Sequence, residues 1–248
     1  MAFAHGSSTV VLVNEKVVST EISGWTMNHS RAVSEVTTVG QVAGAAGSKF
    51  IPGLMSGSLA LRGPQDSVHT TGLTKEITDA VGVDNAFLCT CLPEGPLTVG
   101  KPAFFTMADI TDHAIDAAVA DAVGMTMSAQ SDESVDMGYI LHALGAETAD
   151  VNGTVVDRGA SPITPTTQGA VVAMHVTAYS GLASAAIKVQ HSPDNSVWAD
   201  LVAFTSVTAI GAERKTVAAG TTVNRYLRVV TDVTGTGSVT FLVSAAPR

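Results

Sequence analysis

The residues that come nearest to chemistry lie in TTVGQVAGAAGSKFIPGL, positions 37–54, where Gly40, Gly44 and Gly47 precede Ser48 and Lys49. Spaced glycines followed by lysine and a hydroxyl suit a phosphate cradle, in which backbone N–H groups face the phosphates and the lysine adds charge. The order here does not serve that purpose. A phosphate loop ends in Gly-Lys-Ser/Thr and opens a helix, whereas this stretch ends Ser48-Lys49-Phe50, and Pro52 holds Ile51 out of the helical region. The segment beyond it, GSLALRG, alternates Ser58, Ala60 and Arg62 against Leu59 and Leu61, which is strand periodicity. The stretch reads as a long connection of about residues 37–54, and loops of that length in compact domains usually have a role of their own.

Other constellations fall short of a catalytic set. His5, His29, His69, His113, His142, His175 and His191 are dispersed, and neither G-x-S-x-G nor H-E-x-x-H occurs. His113 stands between Asp112 and Asp116, either paired with a carboxylate or on a solvated helix face. Asp132, Glu133 and Asp136 lack the turn glycine and closing glutamate of an EF-hand and read as a polar turn. Cys89 and Cys91 point to the same face of a strand and are read as two reduced, buried thiols, since a zinc site needs about four ligands. Trp198, near Asp194, Asn195 and Asp200, is either a sugar-stacking platform or the packed anchor of a hairpin turning at Pro193–Ser196, and packing is favoured. No cofactor and no metal is expected.

Bulk properties narrow the classes. Charged residues make up 14% of the 248 positions, against roughly a quarter in ordinary globular chains, so part of the surface is expected to be covered by other copies. The net charge is −9, and between Pro102 and Asp157 there are ten acids and no lysine or arginine. Such a segment excludes ordinary nucleic-acid binding, which draws its affinity from cations displacing counterions. The start, MAFAHGSSTVVLV, carries no secretory signal pattern, and no apolar run reaches membrane-spanning length, so a cytosolic protein without a membrane role is expected.

The elements that would position these residues are mostly strands. STVVLVNEKVV is a strand pair around Asn14-Glu15-Lys16, and TTGLTKEITDAVG places Leu73, Ile77 and Ala80 on one helical face with Gly82 as the stop. NAFLCTCL and KPAFFTMA read as strands, while DITDHAIDAAVADAVG is ambiguous between helix and strand. The proline- and threonine-rich stretch 156–167 reads as a linker. Beyond it AVVAMHVTAYS, AAIKVQHS, VWADLVAF, RKTVAAG, NRYLRVVTD and GSVTFLVSA are separate short strands of a small antiparallel sandwich. Arg225 and Arg228 fall on opposite strand faces, and one of them is expected to reach a carboxylate.

In this order the elements resemble the major tail tube proteins of long-tailed, siphovirus-like bacteriophages. The resemblance is carried by Ile22, Ser23, Gly24, Arg31, Glu35, Thr37, Gly40, Pro52, Gly53, Leu54 and Gly57, then by PLTVGKPAFFTMA and DAVGMTMSAQSDESVDMGYIL. AAIKVQHSPDNSVWADLVAF and NRYLRVV are similar to the C-terminal portion of actinobacterial-phage versions. The resemblance implies a mainly β fold: a tail-tube β-sandwich or half-barrel with one short helix over residues 1–155, and a C-terminal all-β sandwich over 168–248.

It also implies a structural virion protein and no enzyme. Hexameric rings would be assembled in the host cytoplasm and stacked into a tail tube, with tape measure, tail terminator and tail tip proteins as partners. Gly40, Gly44, Gly47, Lys49, Phe50, Pro52, Gly53 and Leu54 would form the inter-subunit, ring-stacking loop. Asp109, Asp112, Asp116, Asp121, Asp132, Glu133 and Asp136 are the candidates for an acidic lumen through which double-stranded DNA passes without sticking. The competing readings are a capsid decoration or tail terminator protein, and a carbohydrate-binding adhesin built around Trp198.

Overall fold

The structure is a computed structural model, and it describes residues 6–35, 50–65, 72–85, 87–117, 122–159 and 164–248. In chain order the elements begin with β1 (Val10–Val13), β2 (Lys16–Val17), β3 (Gly24–Glu35), β4 (Phe50–Pro64), α1 (Leu73–Ala80) and β5 (Phe87–Leu92). Then come β6 (Pro102–Asp116), β7 (Gly124–Ser131), β8 (Asp136–Glu147), β9 (Val151–Asn152) and β10 (Val156–Asp157). The chain closes with β11 (Ala170–Ser192), β12 (Ala199–Ala203), β13 (Gly211–Val217) and β14 (Tyr226–Pro247). The fold is mainly β, and the named strands pair antiparallel. Among the described residues no helix is long and apolar enough to cross a membrane.

The chain forms two compact units. One comprises Met1–Ser23, Phe87–Phe105 and Asp136–Arg248, the other Gly24–Ala86 and Thr106–Val135. Both flanks of the expected 156–167 linker therefore lie in the same unit.

In the first unit β11 and β14 are the backbone of the sheet, paired from Ala170↔Pro247 to Ser192↔Tyr226. The sequence reading divides each of these strands in two at glycine-containing stretches. The structure keeps them continuous, absorbing the irregularity as register shifts around Leu182. Gly181 (φ 75°) and Gly235 (φ 100°) take left-handed backbone there, which a side chain resists, so the strands bulge rather than turn. Val172, Met174 and Val176 of β11 and Val239, Phe241 and Val243 of β14 fill one core, together with Ile187, Val189, Leu227 and Val229. On the other side of β11, His175 is wholly buried, its ring nitrogens meeting the backbone oxygen of Asn14 and the hydroxyl of Thr90. Cys89 and Cys91 on β5 are buried and free, with Sγ atoms 4.0 Å apart, and burial pushes the Cys91 thiol up.

In the second unit the strands run β3–β4–β7–β6, each antiparallel to the next. Leu59, Leu61, Met125, Met127, Ala129 and Ile110 are buried on one face of this sheet. Helix α1 buries Leu73, Ile77 and Ala80, the stripe expected from its periodicity, and the Thr74 hydroxyl meets Met125 Sδ at 3.7 Å. The ambiguous stretch after Ile110 resolves as strand, with β6 running on to Asp116.

Candidate functional site

Two surfaces of the second unit hold the residues singled out in the sequence. The first is the outer part of the β3–β4 hairpin. Pairing of β4 with β7 begins at Ser58↔Gln130, so Phe50–Gly57 of β4 is matched only by β3, from Glu35↔Phe50 to His29↔Gly57. This makes a two-stranded arm, with nothing of its own unit recorded beside it to cover both faces. Leu54 is 88% and Val33 62% exposed, and Ile51 and Met55 are exposed as well.

The arm's register is pinned locally. One extra residue on β4 is accommodated opposite Ala32, between Arg31↔Met55 and Val33↔Pro52, a bulge of the kind found on edge ribbons. Arg31 Nε donates to the Gly53 oxygen at 3.0 Å, and the hydroxyls of Ser30 and Ser56 lie 2.8 Å apart. Pro52, which has no N–H to give, occupies such an irregular position. Phe50, Pro52, Gly53 and Leu54, expected in the loop, are therefore strand residues, and the expected loop is shorter at its C-terminal end. Gly40, Gly44, Gly47 and Lys49 lie outside the described residues.

The second surface is the face of the four-stranded sheet opposite its core. Rows across it read Asn28, Ser58, Gln130, Asp109; then Thr26, Ala60, Ser128, Asp112; then Gly24, Arg62, Thr126, Ala114. Asp116 extends the same face opposite Gly124. A register shift between Ile110 and Asp112 keeps Asp109 and Asp112 on one side, where simple alternation would separate them. The face is short-chained and rich in hydroxyls and amides, and its acids line up along β6 with Arg62 as the cation among them. His113 points the other way, half-buried; its Nε2 finds no hydrogen-bond partner among the described residues, so it pairs with neither neighbouring aspartate.

The remaining acids divide. Asp132 and Glu133 are exposed after β7, and Asp121 lies outside the described residues. Asp136 is a correction to the list of bare wall acids: it is 5% exposed, with Arg214 Nη2 donating to Oδ2 at 3.0 Å and Arg248 Nη2 to Oδ1 at 3.1 Å. A buried carboxylate between two guanidinium groups is a structural charge centre. The sequence missed that Asp84 joins Asp109 and Asp132, their carboxylates within 4.8 Å of one another. Asp109 Oδ1 also accepts the Asn85 N–H at 2.8 Å. These three are the acids placed to share a cation among the described residues, and exposed acidic groups often stand together without one.

Trp198 belongs to neither sequence alternative in pure form. It is half-buried, and the Arg228 guanidinium lies 4.2 Å from its ring centroid, covering one face by cation–π contact. Arg228 in turn donates to Gln190 Oε1, and Gln190 and Lys188 both donate to Asp200. Asp194 Oδ1 accepts the N–H groups of Ser196 and Val197, closing the turn and lowering its own pKa. Arg225, on the other face, grips Asp157 with two hydrogen bonds and holds that carboxyl down to about 2.

No protein-family model and no curated protein matches the sequence. Among solved structures the chain is similar to one from the virion of a native gene transfer agent particle, with a TM-score of 0.43 and 9% identity over 54% of this chain and 98% of that one. It is also similar to the SPP1 Dit (gp 19.1) protein, described as a paradigm of hub adsorption apparatus in Gram-positive infecting phages, at TM-score 0.38 and 10% identity over 96% and 98% of the two chains. A chain of the phage p2 baseplate in its activated conformation gives 0.33 and 8% over 95% and 97%. At these scores and identities the likenesses bear on neither the function nor the assembly of this chain.

Proposed function

We propose that this chain is a structural, non-catalytic subunit of a phage tail, polymerising as stacked six-fold rings into a tube that passes double-stranded DNA. The observation that carries the reading is the β3–β4 arm. Leu54, Val33, Ile51 and Met55 stand exposed on a two-stranded ribbon, in a chain with few charges to solvate it. Covering each such side chain is worth about 2 kcal/mol, so an arm left in water forfeits several times that amount, and contact with further copies recovers it. The motif residues Gly24, Arg31, Glu35, Pro52, Gly53, Leu54 and Gly57 all belong to this one hairpin, which gives the sequence resemblance a physical focus.

The outward sheet face supports the second half of the reading. Asp109, Asp112 and Asp116 share it with short polar side chains, and a wall of that kind repels phosphates while offering few long side chains to grip them. Tape measure and tail terminator proteins would meet the tube at its inside and its end.

Negative-stain microscopy of the concentrated protein tests the reading. Hollow rods of stacked rings are expected. Lone compact particles would overturn assembly, and single closed rings that never stack would indicate a terminator or decoration protein instead.

A further inference from the structure

Along one face of β8 cover runs out in steps: Leu141 is 0%, Tyr139 38% and Met137 69% exposed. Leu141 belongs to the core of the first unit. The pairs Pro102↔Tyr139 and Phe104↔Met137 put two more half-buried apolar residues on that face. The core stripe therefore continues past the elements that cover it.

A cation sits at its rim. Arg158 is half-buried, near enough to the Tyr139 hydroxyl to interact electrostatically, and its Nη1 donates to the backbone oxygens of Val223 and Asn224 at 3.3 and 3.1 Å. No carboxylate pairs with it among the described residues. It lines a recess of about 360 Å³ together with Thr166, Gln168 and Pro247. Methionine, tyrosine and arginine around a recess are the side chains enriched at the centres of protein interfaces.

We propose that this stripe is the acceptor surface for the β3–β4 arm of a second copy of the chain, with Leu54 and Ile51 packing on Met137 and Tyr139 and Glu35 facing Arg158. The proposal rests on the self-assembly reading above and names the surface the arm meets. The occupant follows from complementarity. The arm is a narrow ribbon with bare apolar side chains and a carboxylate, and the acceptor is an apolar stripe beside a recess with a cation that lacks one. The two surfaces differ, so the contact is head-to-tail, and such contacts propagate into rings or filaments instead of stopping at a dimer.

Complementary variants test it. Leu54→Asp disables the arm and keeps the acceptor; Met137→Asp does the reverse; both sites are exposed, and thermal melts check folding, with Leu54→Ser and Met137→Ser as substitutes if either aspartate variant melts early. Each variant alone should sediment as a monomer, and an equimolar mixture should give a species of twice the monomer mass, one arm docked on one acceptor. A mixture that stays monomeric overturns the contact. If Met137→Asp forms the same tubes as wild type, the acceptor is elsewhere while the tube reading stands. If wild type forms no tubes yet the mixture dimerises, the tube reading falls and this contact survives.

Discussion

His175 donates its Nδ1 hydrogen to the backbone oxygen of Asn14 across 2.6 Å, which fixes the neutral ring with Nε2 free to accept from the Thr90 hydroxyl, also at 2.6 Å. The carbonyl can only accept, so the tautomer is determined by the partner. Burial holds this histidine at about 4, against an ordinary value of 6.5, and the Asn14 bond only partly opposes that shift. The unfolded chain therefore takes up a proton between pH 6.5 and 4 that the folded chain refuses. Above pH 6.5 the site carries no penalty; as pH falls toward 4, stability drops by up to about 1.4 kcal/mol per pH unit from this group alone. Urea unfolding of wild type and His175→Gln between pH 7.5 and 4.5 measures it. The variant should lose less stability over that interval than wild type, and parallel losses would assign the acid sensitivity to other groups.

Gly181 predicts a local cost. A methyl there would stand 2.7 Å from the Thr236 oxygen, on backbone with φ 75°, so Gly181→Ala should cost about 2 kcal/mol by combined crowding and strain. Gly6→Ala, where nothing lies within 4 Å, serves as the neutral control in the same thermal melts. Equal melting temperatures would show that the strand irregularity accepts a side chain.

How far the fold could be read in advance depends on the range of the interaction. The spacing of Leu73, Ile77 and Ala80 sufficed for α1, and Asn14 marked the first hairpin, because both are settled within a few residues. Glycines such as Gly181 and Gly235 are locally ambiguous: left-handed backbone serves a turn or a bulge equally, and only partner strands decide. The arm was half legible. Pro52 and Gly53 suggest a loop, while their strand state depends on pairing with Arg31–Glu35. Asp136 was illegible as a buried residue, since its partners lie 78 and 112 positions away. The convergence of Asp84 on Asp109 and Asp132 is non-local in the same way.

Asp136 should behave as a structural carboxylate. Removing its charge leaves Arg214, whose side chain is 10% exposed, beside a neutral group, and breaking buried pairs of this kind costs roughly 3–5 kcal/mol. Asp136→Asn should lower the melting temperature sharply, while Arg248→Ala, at a partner with 35% of its side chain exposed, should cost much less. If the two variants melt together, the charge centre contributes little beyond its geometry.

The acids on the outward face of β6 make the opposite prediction, with no effect on folding and a large one on DNA. Asp112 and Asp116 are exposed, on the same face as Ser128 and Thr126, and Asp112→Lys/Asp116→Lys should change stability by no more than about 0.5 kcal/mol. If this face lines the bore, each ring then presents a repeated belt of cations. Counterion release makes such a belt hold duplex DNA at low salt and release it as salt rises, with a logarithmic slope of about −0.9 per phosphate engaged. Wild-type tubes should retain none under the same conditions. Asp232→Lys, at an exposed acid on β14, is the control for charge alone and should not retain DNA either. Retention is read by co-sedimentation of a labelled duplex with the assembled protein across a salt series. A double variant that holds no more DNA than the control would place the β6 acids away from the channel.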